Sequence, residues 1–549
     1  MKRLAAAIIM AAGWATRLGG QQLSPTESKR VDSVFAQFDG TTRPGCAVGI
    51  ARSGTPVYLR GFGMADLQSG LAITPESIFH VASVSKQFTA IAVAMLAEDG
   101  RLSLDDEVRK HLPELPDYGK KITIRHLIHH TSGIRDQWEL LGLAGWRYPD
   151  DLFTQGDVLE IVARQRALNF NPGDEYLYSN SGYTLLAVIL ERVSGKTLRA
   201  FTEERIFGPL GMTRTHFHDN HRMIVPGRTA AYQGTPGHWE LSVPAFDTHG
   251  ATSLFTTVGD LLKWQHNFEA LTVGPRKLLS EAETSAMLNT GRPANYGFGI
   301  SVDTFRGTPA LGHGGADAGY RADIVRFPAH GLAVAVACNF AGATPGAYSR
   351  AVAGILLDAR LNPVQPPPQP SAVEPERLRQ LAGVYKSPHT DQAFRFLVDD
   401  GKLTLQNLGL RFESVDSFRF RVGATEAVFY GPPGQVPSGF RLTQGRTVLD
   451  SNQRMPAFAP DRGRLAEYEG EYWSDELRVS YRVEFRDSSL VLHRFKHGAT
   501  PMQPAYFDAF LVRGTGLVVK FLRPRGRVAG LQVTGGRVRN VAFVKGNRP

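Results

Sequence analysis

Residues 79–96 read Phe79-His-Val-Ala-Ser-Val-Ser-Lys-Gln-Phe-Thr-Ala-Ile-Ala-Val-Ala-Met-Leu96. A short apolar run leads into a Ser-x-x-Lys motif, Ser83 to Lys86, which opens an Ala-rich segment that predicts a helix. Residues three apart share a helix face, so the hydroxyl and the ammonium lie within reach of each other. A neighbouring cation and base can turn a serine into a nucleophile. By itself, however, the motif is weak, and capping of the helix by Ser83 is the favoured explanation.

A second polar group lies at Tyr178-Ser-Asn180, between Pro172-Gly173 and a segment with a helical pattern. A loop in this position would project the phenol and the amide into a cleft. A nearby cation such as Lys86 lowers the pKa of a tyrosine, so Tyr178 is the candidate general base and later the acid for the leaving group. Asn180 is expected to hydrogen-bond Lys86 and the substrate.

A third group lies in the glycine-rich run Leu311-Gly-His-Gly-Gly-Ala-Asp-Ala-Gly-Tyr320. Glycines in a strand let another backbone approach closely, so His313 and Gly315 are predicted to bind the substrate. The main-chain N–H groups of Ala316 and Ser83 would then form an oxyanion hole.

Together, Ser83-x-x-Lys86, Tyr178-x-Asn180 and His313-x-Gly315 resemble the motifs of the penicillin-recognising serine hydrolases. That group includes class C β-lactamases, serine DD-peptidases, esterases and D-aminopeptidases. The resemblance covers residues 25–360 and implies an α/β (α+β) fold, in which helices flank an antiparallel sheet and a helical subdomain is inserted. It also implies a covalent acyl-enzyme on Ser83 that water hydrolyses, with no cofactor or metal.

The third motif departs from the Lys-Thr-Gly of β-lactamases, whose lysine anchors a substrate carboxylate. A free histidine is mostly neutral at pH 7, so His313 is a weaker anion anchor. The resemblance is therefore strongest to the D-aminopeptidases, and it predicts cleavage of peptide, amide or ester bonds, including those of D-amino acids. The alternatives are a carboxylesterase, a weak β-lactamase acting on a β-lactam substrate, and a non-catalytic envelope-binding or sensor protein of the same fold.

The domain organisation follows from changes of pattern along the 549 residues. A Pro-rich linker separates the hydrolase region from short alternating runs that predict two antiparallel β-barrel, lipocalin-like modules. Landmarks of the first module recur 87 positions later in the second: Gly383 with Gly470, and Leu403 with Leu490. The predicted units are a signal peptide (1–20), a hydrolase domain (21–360, helical subdomain 101–250), the linker (361–376) and two β modules (377–462 and 463–549).

Local patterns predict several elements of the hydrolase domain. Ser24-Pro-Thr-Glu27 has the residues of a capping box before an amphipathic helix. Cys46–Arg52 and Val57–Gly63 predict a hairpin, and further strands are predicted at Tyr296–Val302 and Leu332–Asn339. The sheet is thus expected to form from both ends of the domain.

The N-terminus predicts export. Met1-Lys-Arg precedes an apolar run that is too short to cross a bilayer, and Gly13-x-Ala15 offers a cleavage site, although an amphipathic first helix is the alternative. We therefore expect a periplasmic or secreted protein without a membrane span. Cys46 and Cys338 each lie in an apolar run, and we interpret them as buried free thiols rather than as a disulfide.

The remaining charged and metal-ligating residues give weaker signals. The formal net charge is +10, and every charged side chain from Arg513 onward is cationic. These cations favour either an anionic envelope polymer as partner or the solvated face of a strand, and no nucleic-acid motif accompanies them. His126, His129 and His130 share a helix face, but structural packing is favoured over metal binding. A homodimer is left open.

Overall fold

The computed structural model describes residues 22–148, 150–364, 369–432, 434–444 and 447–546. The predicted signal peptide lies outside these residues. The hydrolase region is built on a six-stranded antiparallel sheet, which confirms the expected fold class. Its strands, in spatial order, are Ser301–Phe305, Thr308–Asp317, Tyr320–Phe327, Leu332–Cys338, Cys46–Arg52 and Thr55–Phe62.

The sheet joins the two ends of the domain, as the sequence predicts. Cys46–Arg52 pairs with Thr55–Phe62 as a hairpin and, on its other side, with Leu332–Cys338. In this register Cys46 lies directly opposite Cys338, their Cα atoms are 4.0 Å apart, and the two form a disulfide. The prediction of free thiols is therefore wrong, because the sequence pattern gave no register between strands so far apart in the chain.

The strand predicted at Tyr296–Val302 is also wrong in its first half, because the observed strand begins at Ser301. The preceding loop turns at Gly299, where φ is +70°. A Cβ atom on Gly299 would lie 2.5 Å from the backbone nitrogen of Gln87. The loop therefore contacts the Lys86–Gln87 backbone too closely to continue the sheet.

Helices cover both faces of the sheet. Val48 and Ile50 face a core that includes residues of the helices Pro25–Phe35 and Pro345–Leu357, and the first of these begins with the predicted capping box at Ser24. Ala47 and Ala51 face the helical subdomain on the other side. The remaining helices are Ser85–Glu98, Ile124–Ile128, Gln137–Leu143, Gln155–Ala163, Asn180–Ser194, Leu198–Thr202, Gly208–Leu210, Val258–Ala270 and Arg276–Ala282, with a π turn at Glu203–Phe207 and 3₁₀ turns at Ala36–Phe38, Ala82–Val84, Val108–Lys110, Pro328–His330 and Asp358–Arg360.

Short strands tie the helical subdomain to the sheet region. They form two- and three-stranded ladders at its edges. The ladders are Met64–Asp66 with Leu71–Ala72; Phe79–His80 with Leu254–Thr256 and His216–Phe217; Phe153–Thr154 with Phe246–Asp247; and Tyr232–Thr235 with His238–Leu241.

Two antiparallel β bodies follow, each preceded by a short helix. The first is a nine-stranded sheet whose edge strands are neighbours in the chain, and the second is a closed eight-stranded barrel. The first body comprises the helix Pro375–Leu381 and the strands Gly383–Lys386, Ala393–Asp399, Lys402–Leu405, Leu410–Arg411, Glu413–Ser414, Arg419–Val422, Thr425–Tyr430, Gly439–Gln444 and Thr447–Arg454. The barrel comprises the helix Arg462–Ala466, the strands Gly470–Ser474, Val479–Arg486, Ser489–Arg494, Gly498–Tyr506, Ala509–Val512, Val518–Leu522, Gly530–Gly535 and Val538–Lys545, and a 3₁₀ turn at Pro524–Gly526.

The repeat found in the sequence is also present in the hydrogen bonds. The Tyr385 hydroxyl donates to the carbonyl of Leu381, four residues earlier, at 2.7 Å. The equivalent Tyr472 hydroxyl donates to the carbonyl of Tyr468 at 2.6 Å. In both bodies a buried tyrosine thus ties the first strand to the segment that precedes it.

The barrel docks on the helical subdomain through buried polar contacts. Arg135, which is 1% exposed, pairs with Glu476 at 3.0 Å, and the Tyr481 hydroxyl donates to the carbonyl of Leu143. The cationic C-terminal segment contributes as well, since Arg539 pairs with Glu175 at 2.9 Å. Several of these cations therefore form ion pairs with carboxylates of the protein. Neither the envelope-polymer interpretation nor the solvated-strand interpretation of the sequence anticipated these pairs. The paired cations are Lys520, Arg523, Arg537 and Arg539.

Candidate active site

Ser83 lies in a strained turn just before the central helix. The 3₁₀ turn Ala82–Val84 precedes the helix Ser85–Glu98, and Ala82 has a φ of +48°. This conformation is uncommon for a residue with a side chain and costs of order 1–3 kcal/mol, so neighbouring contacts must hold it. The Ser85 hydroxyl does so by donating to the Ala82 carbonyl and accepting from the Leu254 N–H. The turn therefore presents Ser83 at the edge of a cleft.

Lys86 is fully buried, one helical turn from Ser83. Its Nζ is 3.1 Å from Ser83 Oγ, 2.9 Å from Asn180 Oδ1 and 2.6 Å from the Ala251 carbonyl. Burial lowers the pKa of Lys86 well below its ordinary value. A neutral amine matches these three partners, because its two hydrogens reach the two carbonyl oxygens and its lone pair faces the serine hydroxyl.

Tyr178 lies beside this lysine, with Lys86 Nζ 4.8 Å from the centre of its ring. The Tyr178 hydroxyl is buried and has no hydrogen bond of normal geometry within the described residues, and its interaction with Ser83 favours the phenolate. Burial is the larger effect, however, and it raises the pKa of Tyr178. The expectation that the pKa of Tyr178 is lowered is therefore wrong in its net sign, because burial of the phenol outweighs the interactions that favour the phenolate.

The histidine of the third motif is hydrogen-bonded within the protein. His313 Nε2 is 2.9 Å from the Tyr296 hydroxyl, and its Nδ1 is 2.5 Å from the Gly314 carbonyl. Burial lowers the pKa of His313 to about 4, so the ring is neutral. Both ring nitrogens are thus engaged within the protein, and binding of the substrate by His313 stays a prediction.

Gly315 packs closely against the segment that leads to the nucleophile. A Cβ atom at Gly315 would lie 2.2 Å from the Val81 carbonyl oxygen, in the segment that leads to Ser83. The absent side chain accommodates the nucleophile turn, and a contact of Gly315 with the substrate backbone stays a prediction. It therefore sets how close Ala316 comes to Ser83.

The Ala316 N–H is directed at the open edge of its strand. Pairing with the neighbouring strand ends at Gly312, so residues beyond it have a free edge. On the other side Asp317 pairs with Tyr320 across a two-residue turn. Such a turn is closed by a hydrogen-bonded pair, and the alternation of antiparallel pairing then leaves the Ala316 N–H pointing away from its partner strand.

Two charged residues missed by the sequence reasoning support Asn180. Asp136, which is fully buried, accepts hydrogen bonds from the Asn180 N–H at 2.7 Å and from its side-chain amide at 2.9 Å. Arg537, from the last turn of the barrel, pairs with Asp136 at 3.4 Å and Glu139 at 3.2 Å and lies 5.7 Å from the centre of the Tyr178 ring. Nothing in the local sequence around either residue indicates this contact across 400 positions.

The three histidines considered as metal ligands are each hydrogen-bonded within the fold. His126 accepts from the Thr123 N–H, His129 contacts the Tyr296 carbonyl, and His130 accepts from the Ser179 N–H. His130 also stacks on Tyr178, with ring centres 4.2 Å apart. The three therefore support the loops around the site, in agreement with the packing interpretation.

The cleft beside Ser83 has a volume of about 600 Å³. Apolar and aromatic side chains line the cleft together with the strand end at Ala316. Its lining includes Ser83, Trp138, Leu141, Trp146, Tyr148, Phe153, Tyr178, Asn180, Thr252, Ala316, Asp317, Arg321 and Arg537.

Residues 31–358 match the Beta-lactamase family. The chain belongs to this family. It is a serine hydrolase of the β-lactamase/DD-peptidase type. Among the residues that the structure describes, no helix has the length and apolar character needed to cross a membrane.

Curated relatives and solved structures agree with this assignment. The chain is 29% identical over 465 residues to a D-aminopeptidase of Cereibacter sphaeroides, covering 84% of each. It is 27% identical over 355 residues to a D-aminopeptidase of Gluconobacter oxydans, covering 64% of this chain and 66% of the relative. The octameric penicillin-binding protein homologue of Pyrococcus abyssi shares the fold over 86% of this chain and 98% of its own, with a TM-score of 0.55 and 22% identity. The D-amino acid amidase of Ochrobactrum anthropi does so over 61% and 99%, with a TM-score of 0.52 and 20% identity.

Replacing Gly315 by alanine should disable this β-lactamase-family site. The added Cβ would collide with the Val81 carbonyl and displace Ala316 from Ser83. Loss of one oxyanion donor lowers the rate by about 10²–10³-fold, and we expect a fall in kcat of that order, measured on an activated ester. Gly314→Ala is the matched control, because its Cβ would meet nothing closer than 3.8 Å. Equal rates in the two variants would contradict the role assigned to Gly315.

Proposed function

We propose that this chain cleaves amide or peptide bonds of D-amino-acid substrates through an acyl-enzyme on Ser83. The observation that carries the proposal is the contact of 3.1 Å between Ser83 Oγ and the buried Lys86 Nζ at the edge of a cleft. The D-aminopeptidases among the relatives support the substrate class.

The proton of Ser83 passes to Lys86 in the proposed acylation step. Burial favours the neutral amine of Lys86 and the neutral phenol of Tyr178. The amine is then the base within hydrogen-bond reach of the serine, in place of the phenolate predicted from the sequence. Ser83 Oγ bonds to the substrate carbonyl carbon, and the resulting oxyanion is held by the N–H groups of Ser83 and Ala316.

Collapse of the tetrahedral intermediate needs a proton on the leaving amine. Tyr178 can donate it, because its hydroxyl is protonated and lies beside Ser83 and Lys86, and the Lys86 ammonium then restores the phenol. Water attacks the acyl-enzyme in the second half of the reaction and transfers its proton to the same pair. The carboxylic acid product leaves, and Ser83 regains its hydrogen.

The environment of His313 disfavours efficient β-lactam hydrolysis. A neutral ring with both nitrogens engaged cannot act as the fixed cation that holds a substrate carboxylate. We therefore expect turnover of a D-alanine p-nitroanilide to exceed that of a chromogenic cephalosporin, while a short p-nitrophenyl ester tests the carboxylesterase alternative.

Ser83 should be the residue that a fluorophosphonate modifies, and mass spectrometry of the labelled peptide checks this. Lys86→Met should slow labelling by about 10²–10⁴-fold, which is the range for loss of a general base. Lys263→Met is the control, because that lysine is half-exposed and pairs with Asp260. Absence of label on the wild type would favour a non-catalytic binding protein, and a label that survives Ser83→Ala would refute the nucleophile.

Arg537→Met should shift the pH dependence of the reaction. Arg537 disfavours the charged form of Lys86, and Asp136 and Asp317 favour it. Without Arg537 the pKa of Lys86 rises, so a higher pH is needed for the neutral base. We expect the acidic limb of the pH profile of kcat/KM to move to higher pH by about one unit. At a given pH on that limb, kcat/KM then falls about tenfold.

Arg539→Met is the control for this shift. Arg539 lies in the same hairpin but pairs with Glu175, outside the cleft. Its loss weakens barrel docking without changing the charge beside Asp136. An unmoved limb in the Arg537 variant, or the same shift in both variants, would contradict the electrostatic role.

We further propose that the protein acts outside the cytoplasm. The disulfide between Cys46 and Cys338 supports an oxidising compartment, as does the signal-like N-terminus of the sequence. When the full chain is expressed in a Gram-negative host, the periplasmic fraction should contain it, with both cysteines unreactive toward thiol reagents until reduction. Retention in the cytoplasm with two free thiols would refute this localisation.

A further inference from the structure

Asp317 is a carboxylate at the catalytic centre that the proposed reaction steps do not use. It ends the strand Thr308–Asp317 and directly follows the oxyanion donor Ala316. Side chains alternate along a strand, so Asp317 shares a face with Gly315. Because Gly315 faces the Val81 carbonyl, Asp317 points to the side of the sheet where Ser83 lies, and both line the cleft.

Two neutral hydroxyl groups bind this carboxylate. Thr252 Oγ1 donates to Asp317 Oδ2 at 2.9 Å, and the Tyr148 hydroxyl donates to Oδ1. Thr252 follows Ala251, whose carbonyl accepts from Lys86. The carboxylate is thus fixed by the same segment that fixes the catalytic lysine, and its position is set before any substrate arrives.

Among the described residues, no lysine or arginine forms a close ion pair with Asp317, although Lys86 and Arg321 lie near enough to favour its charged form. His80 Nε2 is 3.9 Å away, but it accepts from the Ser253 N–H, and burial lowers the pKa of His80 to about 3. Arg321 lines the same cleft, yet its Nη1 donates to the carbonyls of Ala318 and Tyr320. A largely buried carboxylate that is bound by neutral donors alone lacks the charged partner that such groups normally have.

The wall next to Asp317 is apolar and aromatic. Trp138, Trp146 and Phe153 line the cleft together with Tyr148, whose hydroxyl binds Asp317. Trp138 and Phe153 are in edge-to-face contact, with ring centres 4.7 Å apart. Such a surface accepts a large apolar side chain and also favours a cation close to its rings.

We propose that Asp317 binds the free α-ammonium group of the substrate and that the aromatic wall receives its apolar side chain. In an α-amino amide, one carbon separates the ammonium from the carbonyl. An ammonium at Asp317 therefore leaves the carbonyl carbon at Ser83 and its oxygen at the Ala316 N–H. This inference rests on the proposed function and narrows it to amides and peptides with an unblocked amino end and a large apolar first side chain.

The test compares three anilides that differ only at the amino position: D-phenylalanine p-nitroanilide, its N-acetyl derivative and 3-phenylpropionic acid p-nitroanilide. In the wild type we expect kcat/KM for the free amine to exceed the other two by about 100-fold, the effect of leaving a buried charge unpaired. Asp317→Asn should remove this preference by lowering kcat/KM for the free amine, mainly through KM, far more than it changes kcat/KM for 3-phenylpropionic acid p-nitroanilide.

Two controls separate a binding role from a folding defect. Asp303→Asn changes an exposed carboxylate on the neighbouring strand and should keep the wild-type preference. The rate of fluorophosphonate labelling of Ser83 reports an intact catalytic centre in each variant, and Asp317→Glu should restore part of the preference. Equal hydrolysis of the three anilides by the wild type, or an equal loss on all of them in Asp317→Asn, overturns the inference.

The same experiment distinguishes failure of the inference from failure of the proposed function. An enzyme that hydrolyses the three anilides equally overturns the amine subsite and leaves the proposed amide hydrolysis standing. An enzyme that carries the label on Ser83 but turns over none of the anilides overturns both the subsite and the proposed amide hydrolysis, and leaves only the nucleophile standing. An enzyme that neither takes the label nor turns over any anilide overturns the nucleophile as well. A preference of the wild type for the N-acetyl anilide or for the anilide that lacks an amine would overturn the role of Asp317.

Discussion

The burial of the Lys86 amine is the constraint on which the rest of the site depends. A desolvated ammonium is costly, so the neutral form is favoured, and its contacts must be supplied by the protein in place of water. Those contacts come from the helix that follows the Tyr178 loop and from the Ala251 segment, which are far apart in the chain. Lys86 therefore has its hydrogen-bond partners only once the helical subdomain packs on the sheet. Folding of the domain and formation of the catalytic site thus occur together.

The same constraint extends into the barrel through a line of buried charges. Asp136 holds Asn180 in place for Lys86, and it has no exposed surface of its own. A buried carboxylate beside a lysine would stabilise the ammonium and oppose the neutral base. Arg537 balances that charge from the barrel, while Arg135 and Glu476 fix the barrel against the subdomain. The C-terminal body thus belongs to the electrostatics of the site, although it contributes neither the nucleophile nor its base.

The sequence predicted the features that depend on residues close together in the chain. It did not predict those that depend on contacts between distant segments. The motifs around Ser83, Asn180 and Ala316 identified groups that the fold brings to one cleft, and the capping box at Ser24 predicted its helix. The disulfide and the contact of Arg537 with Asp136 depend on register and docking between distant segments, which no local pattern encodes. The sign of the pKa shift at Tyr178 was predicted wrongly for a related reason. The cation beside it was visible in the sequence, whereas the loss of water around both groups was not.

The histidine at position 313 and the carboxylate at position 317 set the charge of the cleft together. They lie on one face of one strand, four residues apart, where a family member with Lys-Thr-Gly places a fixed cation. Here the imidazole is neutral and hydrogen-bonded to Tyr296, so that face offers the substrate no positive charge. The remaining charge on this face is the negative charge of Asp317, which lies one residue beyond the oxyanion donor Ala316. An added lysine at 313 would oppose protonation of Lys86 and attract carboxylates, whereas the observed pair leaves the neighbouring amine as a base and places a carboxylate beside the oxyanion donor.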